Sequence, residues 1–113
     1  MHELGIAEAI LRIAQAHIPP GGRVASVHVK TGMLHAIVPE SLAFYFEHLA
    51  RGTPLQGARL EIEEVPVKVR CASCGEECCL DLPIFRCGAC GSADVELVSG
   101  EELFVDHICI SEE

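Results

Sequence analysis

The feature that most constrains this chain is a pair of CxxC motifs separated by 12 residues. Their four cysteines are Cys71, Cys74, Cys87 and Cys90. Each motif is followed by a glycine, Gly75 or Gly91, whose permissive backbone suits the tight turn that brings both thiols of a pair together. Two such turns can direct four thiolates to the corners of a tetrahedron, and four thiolates without a histidine favour Zn²⁺. Because segment 71–94 has few large apolar side chains, we expect a bound metal rather than a hydrophobic core to hold it together.

A site of four thiolates leaves no coordination position for water, so the expected zinc is structural rather than catalytic. The alternative interpretation is two thioredoxin-like redox pairs, or thiols that bind no metal. A hydrolytic zinc enzyme needs an open position, and the sequence offers no further His/Glu pair at ligand spacing. The chain is therefore predicted not to be an enzyme.

Three further cysteines lie outside the two motifs. Cys78 and Cys79 fall inside the expected zinc segment, where they either exchange with the four ligands or serve as solvent-facing or packing thiols. Cys109 lies in a segment of alternating polarity, and we expect it to be a small core residue.

The rest of the chain predicts two helices and three strands in the order α-β-α-β-insertion-β. Apolar residues at helical spacing predict a helix over 3–17, which the sequence PPGG ends, and a second helix begins at Pro39. Alternation of apolar and polar residues predicts strands over 23–32, 58–69 and 103–110. The expected fold is α+β, with two helices packed on a three-stranded sheet and an inserted zinc-ribbon lobe.

The insertion divides the expected domains. Residues 1–70 together with 95–113 are predicted to form one discontinuous α/β domain, which includes the N-terminal residues, and residues 71–94 are predicted to form the zinc-ribbon domain.

Composition limits the partners and the compartment. Half of the residues are hydrophobic, which is enough for a core, and the formal net charge of −9 argues against nucleic-acid partners, which require clustered Lys and Arg. No apolar run reaches the roughly 18 residues of a membrane span, and the N-terminal segment lacks a basic leader. Seven cysteines without a secretory signal favour a reducing compartment. We therefore expect a cytoplasmic protein without nucleic-acid or membrane partners.

The first residues, MHELG, place two nitrogen donors side by side: the α-amine of Met1 and the imidazole of His2. Such groups titrate near about 8 and about 6.5, so both can lose their protons at cellular pH. If the helix begins at Glu3 or Leu4, the amides of His2 and Glu3 have no intrahelical partner. Ni²⁺ and Cu²⁺ favour planar nitrogen sites of this kind. The alternative interpretation is an exposed, frayed terminus that binds nothing.

Taken together, these motifs resemble the HypA/HybF family of hydrogenase-maturation nickel-insertion proteins. The resemblance rests on three features that span nearly the whole chain: the initial MHE, the paired CxxC motifs and the segment between the first strand and second helix. The residues of that segment that carry the resemblance are Gly32, Pro39, Glu40, Leu42, Phe44 and Phe46. The resemblance implies a nickel metallochaperone that delivers Ni²⁺ in the cytoplasm to the large subunit of [NiFe]-hydrogenase, working with a nickel-handling maturation GTPase.

The resemblance also implies the ligands. His2 is carried over as the nickel ligand, with backbone nitrogens of Met1 and Glu3, and the four motif cysteines as structural zinc ligands. Some members of the family place an acidic residue within reach of nickel; Glu40 is the candidate here, with a helix N-terminal charge as its alternative role. The chain departs from the family at Met33, where many members have Glu, and it has no histidine beside either CxxC motif.

Two points stay open. His35, in the loop after the first strand, is a second candidate ligand. The other histidines are expected not to be ligands: His28 and His48 are solvated, His17 lies at a helix end and His107 lies near the end of the final strand. The alternative function is a zinc-ribbon protein-interaction module without nickel transfer. Nickel binding by the purified protein separates these two functions.

Overall fold

The computed structural model describes residues 2–80 and 84–111, with only the backbone of His2. It contains two helices, α1 and α2, six strands, β1 to β6, and one short 3₁₀ turn. In chain order these are α1 His2–Gln15, β1 Arg23–Gly32, the 3₁₀ turn Met33–His35, α2 Pro39–Ala50, β2 Arg59–Val65, β3 Lys68–Cys71, β4 Glu77–Cys79, β5 Val95–Ser99 and β6 Leu103–Ser111. The predicted α+β class, with two helices, a three-stranded sheet and a cysteine lobe, is confirmed.

The chain divides into two compact units, and the second comprises Thr31–Ala36 and Glu64–Leu103. This unit is wider than the 71–94 lobe expected from the cysteine spacing, because the strands on either side of the cysteines belong to it. Within the described residues, neither helix is long and apolar enough to cross a membrane.

The first unit is built on a sheet with strand order β2-β1-β6. The two helices contribute buried side chains to its core at helical spacing, and β1 contributes three valines. The buried residues of the core are Ala7, Ile10, Ala14, Val24, Val27, Val29, Ile37, Leu42, Phe46, Ala50 and Leu55. Pro39 occupies the first turn of α2, where its fixed φ fits the helix and its missing N–H costs nothing. The first unit therefore has the predicted two-helix, one-sheet layering.

One detail of β1 differs from the expected alternation. Ser26 is buried and Ala25 is exposed, whereas strict alternation of apolar and polar residues would place Ala25 on the core side and Ser26 on the polar side. The Ser26 hydroxyl is compensated by a hydrogen bond to the ring of His28. A buried polar group that finds a partner in this way carries little penalty.

The second unit contains a separate sheet with order β4-β3-β5. Strand β3 pairs antiparallel with β4, where Val69 lies opposite Cys78, and with β5, where Cys71 lies opposite Val95. The sequence pattern predicted one strand over 58–69, but the chain breaks after Val65, and the following segment joins this second sheet. Pro66 lies at the break. A proline has no N–H to donate, so in the middle of a continuous strand it would leave a gap in the hydrogen bonds to the neighbouring strand.

Two glycines allow a close backbone approach in the second unit. The Gly32 N–H donates to the carbonyl of Glu102, and the Leu34 N–H donates to the carbonyl of Gly100 at 3.0 Å. A Cβ added at Gly32 would lie only 1.9 Å from the Gly100 carbonyl oxygen. Gly100 itself has φ +119°, a backbone region that side chains disfavour. Position 32 therefore requires glycine for steric reasons.

Candidate metal centres

The four motif cysteines come together in the second unit, and their Sγ atoms all lie within 4.8 Å of one another. The Sγ atoms of Cys71 and Cys90 are 3.6 Å apart, as are those of Cys74 and Cys87. A tetrahedral Zn²⁺ with Zn–S bonds of about 2.3 Å would separate its sulfurs by about 3.8 Å. The donor set and its spacing are therefore compatible with a structural zinc.

Each CxxC motif forms the same backbone turn. In the first, the Gly75 N–H donates to the Cys71 carbonyl at 2.9 Å, and in the second the Gly91 N–H donates to the Cys87 carbonyl at 2.9 Å. Both glycines have φ +78°, as predicted from their place after each motif. The repeated turn buries the first cysteine of each pair and leaves the second exposed. The two halves of the site are thus built alike.

Backbone N–H groups point at the two buried sulfurs. Ser73 donates to the Cys71 sulfur at 3.3 Å, and Ala89 donates to the Cys87 sulfur at 3.3 Å. The backbone bonds from Cys90 and Ala89 lower the pKa of Cys87 to about 6, and a backbone bond from Cys74 lowers the pKa of Cys71. Hydrogen bonds to a sulfur favour its anionic form, which is the metal-binding form.

The second cysteine of each pair behaves differently. A backbone bond from Glu76 lowers the pKa of Cys74, but the thiol bond to Cys87, together with burial and the other thiols, outweighs it and raises the pKa to about 12. The reason is electrostatic, because four sulfurs this close cannot all carry charge without a cation among them. A divalent ion at the centre would remove that repulsion and displace the remaining protons.

The two extra thiols of the second unit lie outside the four-sulfur cluster. The Cys78 sulfur accepts the Gly88 N–H at 3.3 Å and is half-buried, so it packs beneath the second CxxC turn. Cys79 is exposed on β4. Of the two alternatives left open by the sequence, the geometry favours packing and solvent-facing thiols.

The predicted nickel ligands lie largely outside the described residues. Met1 is not described, and neither is the side chain of His2. Helix α1 begins at His2, and not at Glu3 or Leu4 as expected, but amides in a first turn still have no intrahelical acceptor. The Glu3 carboxylate is buried and accepts the Val38 N–H at 3.4 Å, at the N-cap of α2. Glu40 is exposed in the first turn of α2.

The remaining histidines have contacts that the sequence did not reveal. His35 Nε2 donates to the Glu101 carbonyl at 2.9 Å, a hydrogen bond within the second unit. His28, which was expected to be solvated, lies together with His107 and Cys109, and one ligand atom from each lies within 4.8 Å of the others. The expectation that Cys109 is a core residue is wrong, because its side chain is exposed. Only the pairing of distant strands reveals this second cluster.

Comparisons with known proteins address the family. A family model described as hydrogenase/urease nickel incorporation, metallochaperone, hypA matches residues 1–110. The hydrogenase maturation factor HypA of Desulfosudis oleivorans is 45% identical over 115 residues, covering 99% of this chain and 100% of that protein. The HypA of Nostoc punctiforme is 43% identical over 112 residues, and the match covers 99% of this chain and 97% of that protein.

A solved structure supports the same assignment at the level of fold. The solution structure of the Ni metallochaperone HypA from Helicobacter pylori superposes with a TM-score of 0.65, covering 98% of each chain at 19% identity. At that identity the superposition shows a shared fold, while the sequence matches over nearly the full length show the family. The chain belongs to the HypA family of nickel metallochaperones, which take part in hydrogenase maturation and are not enzymes.

Proposed function

We propose that this protein binds Ni²⁺ at its N-terminus and delivers it to the large-subunit precursor of [NiFe]-hydrogenase. The observation that carries the proposal is the family match, which begins at the first residue and so includes the sequence MHE. The nickel ligands are His2 and the backbone nitrogens of Met1 and Glu3, with Glu40 as a further candidate. Nickel is cargo in this scheme, and zinc is the resident structural ion.

The chemistry of the cysteine cluster supports assigning zinc to the cysteines and nickel to a different site. Four sulfurs fill the coordination sphere of a tetrahedral ion, and two of them are buried, so an ion held there exchanges slowly. A carrier needs a site that both accepts and releases its ion. The cargo therefore binds away from Cys71, Cys74, Cys87 and Cys90, which hold zinc and stabilise the second unit as a zinc-ribbon domain.

The surroundings of α1 support a nitrogen site at its start. The first-turn amides have no helical acceptor, so Ni²⁺ can displace their protons without breaking a backbone hydrogen bond. The Glu3 carboxylate already accepts the Val38 N–H, so Glu3 contributes only its backbone nitrogen. The same hydrogen bond holds the first turn of α1 beside the N-cap of α2, two residues before Glu40. This hydrogen bond supports Glu40 as the acidic residue that joins the proposed site.

Delivery requires partners and a compartment. The proposed partners are a nickel-handling maturation GTPase and the hydrogenase precursor, both protein surfaces that suit an acidic chain. Thiolates ready for zinc fit the reducing cytoplasm, which is the proposed location.

A cell-based measurement tests delivery. Cells that make the His2→Ala chain should accumulate hydrogenase large-subunit precursor without nickel, and excess nickel in the medium should restore part of the mature enzyme. Cells that make the His48→Ala chain, which alters an exposed histidine of α2, should mature the enzyme normally. Normal nickel content of hydrogenase in His2→Ala cells would contradict the proposal and favour an interaction module that transfers no nickel.

A further inference from the structure

A cluster of metal-binding side chains lies on the sheet of the first unit, formed by strands that are adjacent in space but distant in sequence. His28 lies on β1, and His107 and Cys109 lie two residues apart on the neighbouring strand β6. One ligand atom from each residue lies within 4.8 Å of the others. The three side chains are half-buried or exposed, so a cation in solution can reach them.

The distances fit a single ion. The Nε2 atom of His28 lies 3.7 Å from the Sγ atom of Cys109. An ion bonded to nitrogen at about 2.05 Å and to sulfur at about 2.3 Å in tetrahedral geometry separates those atoms by about 3.6 Å. The imidazole rings of His28 and His107 stack with centroids 4.0 Å apart and planes 12° apart. The two rings are therefore close enough to share an ion, and one of them must rotate for both lone pairs to point at it.

Neighbouring groups orient the two imidazoles. The Asp106 carboxylate accepts a hydrogen bond from Nδ1 of His107 at 2.8 Å, which leaves Nε2 with the lone pair. A carboxylate behind a histidine is the usual support of a metal-bound imidazole. Ser26 Oγ lies 2.9 Å from Nε2 of His28, so an ion that binds this nitrogen must displace the hydrogen bond, and the hydroxyl must turn to another acceptor.

The local charge favours a cation. A cavity of about 220 Å³ beside the two histidines is lined by carboxylates, namely Glu61, Glu63 and Asp106, and by one ammonium, Lys30. Arg59 forms an exposed ion pair with Glu61 at 3.2 Å, which offsets one of the carboxylates. The remaining balance is negative, which attracts a divalent ion and repels anions.

We propose that His28, His107 and Cys109 form a second metal site, which binds a late first-row divalent cation such as Ni²⁺, Co²⁺ or Zn²⁺ through two imidazoles and one thiolate. Two imidazoles and a thiolate suit ions of this class rather than Mg²⁺ or Ca²⁺, which prefer oxygen. With three protein ligands, the fourth position is open to water. The site therefore exchanges its ion, in contrast to the closed four-cysteine cluster. Binding there does not depend on nickel delivery from the N-terminus.

Cobalt is the probe that tests this site. The experiment uses zinc-loaded protein carrying His2→Ala, so that the proposed N-terminal nickel site contributes nothing. We expect one Co²⁺ per chain by equilibrium dialysis, with one zinc retained, and a thiolate-to-cobalt charge-transfer band in the near ultraviolet. Because the N-terminal donors include no sulfur, this band distinguishes the two sites.

Substitutions locate the ion. Cys109→Ser should abolish the band, and both Cys109→Ser and His107→Gln should weaken cobalt binding by at least about tenfold. Asp106→Asn should weaken binding by about tenfold and keep the band, because it removes the support of His107 but no ligand. The matched controls are Cys79→Ser, an exposed thiol outside both clusters, and His48→Gln, and both should bind cobalt like the parent.

Three results would overturn the proposal. The first is no cobalt bound beyond the retained zinc. The second is equal affinity in the parent, Cys109→Ser and His107→Gln chains. The third is a band that persists in Cys109→Ser but disappears in Cys74→Ala, which would place cobalt in the four-cysteine cluster. The side chains altered at the proposed site and in its two controls are exposed, so we expect these variants to fold like the parent, as checked by an unchanged helix signal and zinc content. For Cys74→Ala, which should lose zinc, the helix signal alone checks folding.

Discussion

Replacing Gly32 by alanine should destabilise the protein, since this position has no room for a side chain. The added Cβ would lie 1.9 Å from the Gly100 oxygen and 2.5 Å from the Glu101 nitrogen, whereas real Cβ contacts essentially never fall below 3.0 Å. The two backbone segments must therefore separate by about 1.1 Å. The contacts are backbone atoms, which cannot rotate away as a flexible side chain can.

The cost follows from what this movement disrupts. Overpacking of this kind costs about 1–3 kcal/mol. The hydrogen bonds that Gly32 and Leu34 donate to the opposite segment are strained as well, and each contributes about 0.5–1.5 kcal/mol. We therefore expect Gly32→Ala to lower the free energy of unfolding by about 2–5 kcal/mol.

The assay is urea unfolding of zinc-loaded protein, followed by circular dichroism, with Gly5→Ala as the matched control. Gly5 lies in α1, and an added Cβ there meets nothing within 4 Å. Because alanine is the better helix former, Gly5→Ala should raise stability by about 0.5–1 kcal/mol. The two changes therefore have opposite signs. A Gly32→Ala chain within about 0.5 kcal/mol of the parent would refute the steric reasoning.

Three further predictions concern the metals. Cys74→Ala or Cys87→Ala should release zinc and disorder the cysteine segment while α1 and α2 stay folded, as measured by zinc content and amide exchange; complete unfolding would show that the second unit does not fold separately. Measured in the Cys109→Ser chain, nickel affinity should rise between about pH 6 and pH 8, because imidazole and amine must lose protons before they bind. Zinc should stay bound between about pH 6 and pH 8, because the ion holds its four sulfur ligands as thiolates; loss of zinc within that range would contradict this. Placing Gly-Ser ahead of Met1 should weaken nickel binding by at least about tenfold, some 1.4 kcal/mol. An unchanged nickel affinity would exclude the α-amine of Met1 as a ligand.

Much of the architecture was predictable because its signals are local. The bounds of α2 follow from Pro39 and from apolar residues at helical spacing, and the structure confirms them. The four-sulfur cluster follows from spacing alone, since each CxxC turn is closed by hydrogen bonds within five residues. Such features depend on neighbours in the chain, which a sequence displays directly.

The rest depends on long-range pairing. The break after Val65 and the second sheet were missed because the alternation of apolar and polar residues continues from β2 into β3. Only the pairing of β3 with β4 and β5 shows that the two strands belong to different sheets. Cys109 was misassigned because Val105 and Ile108, three residues apart, both pack against the core, so strict alternation fails along β6. The cluster of His28, His107 and Cys109 depends on the register between strands about 80 residues apart, which no local pattern encodes.

The central claim is that nickel binds at the N-terminus and zinc at the cysteines, as two separate sites. Native mass spectrometry tests it directly, using zinc-loaded Cys109→Ser protein, with and without His2→Ala, mixed with one equivalent of Ni²⁺. We expect one zinc and one nickel per chain when His2 is present, and one zinc without nickel when it is replaced. Stoichiometric nickel in the His2→Ala chain, or nickel bound at the expense of zinc, would contradict it.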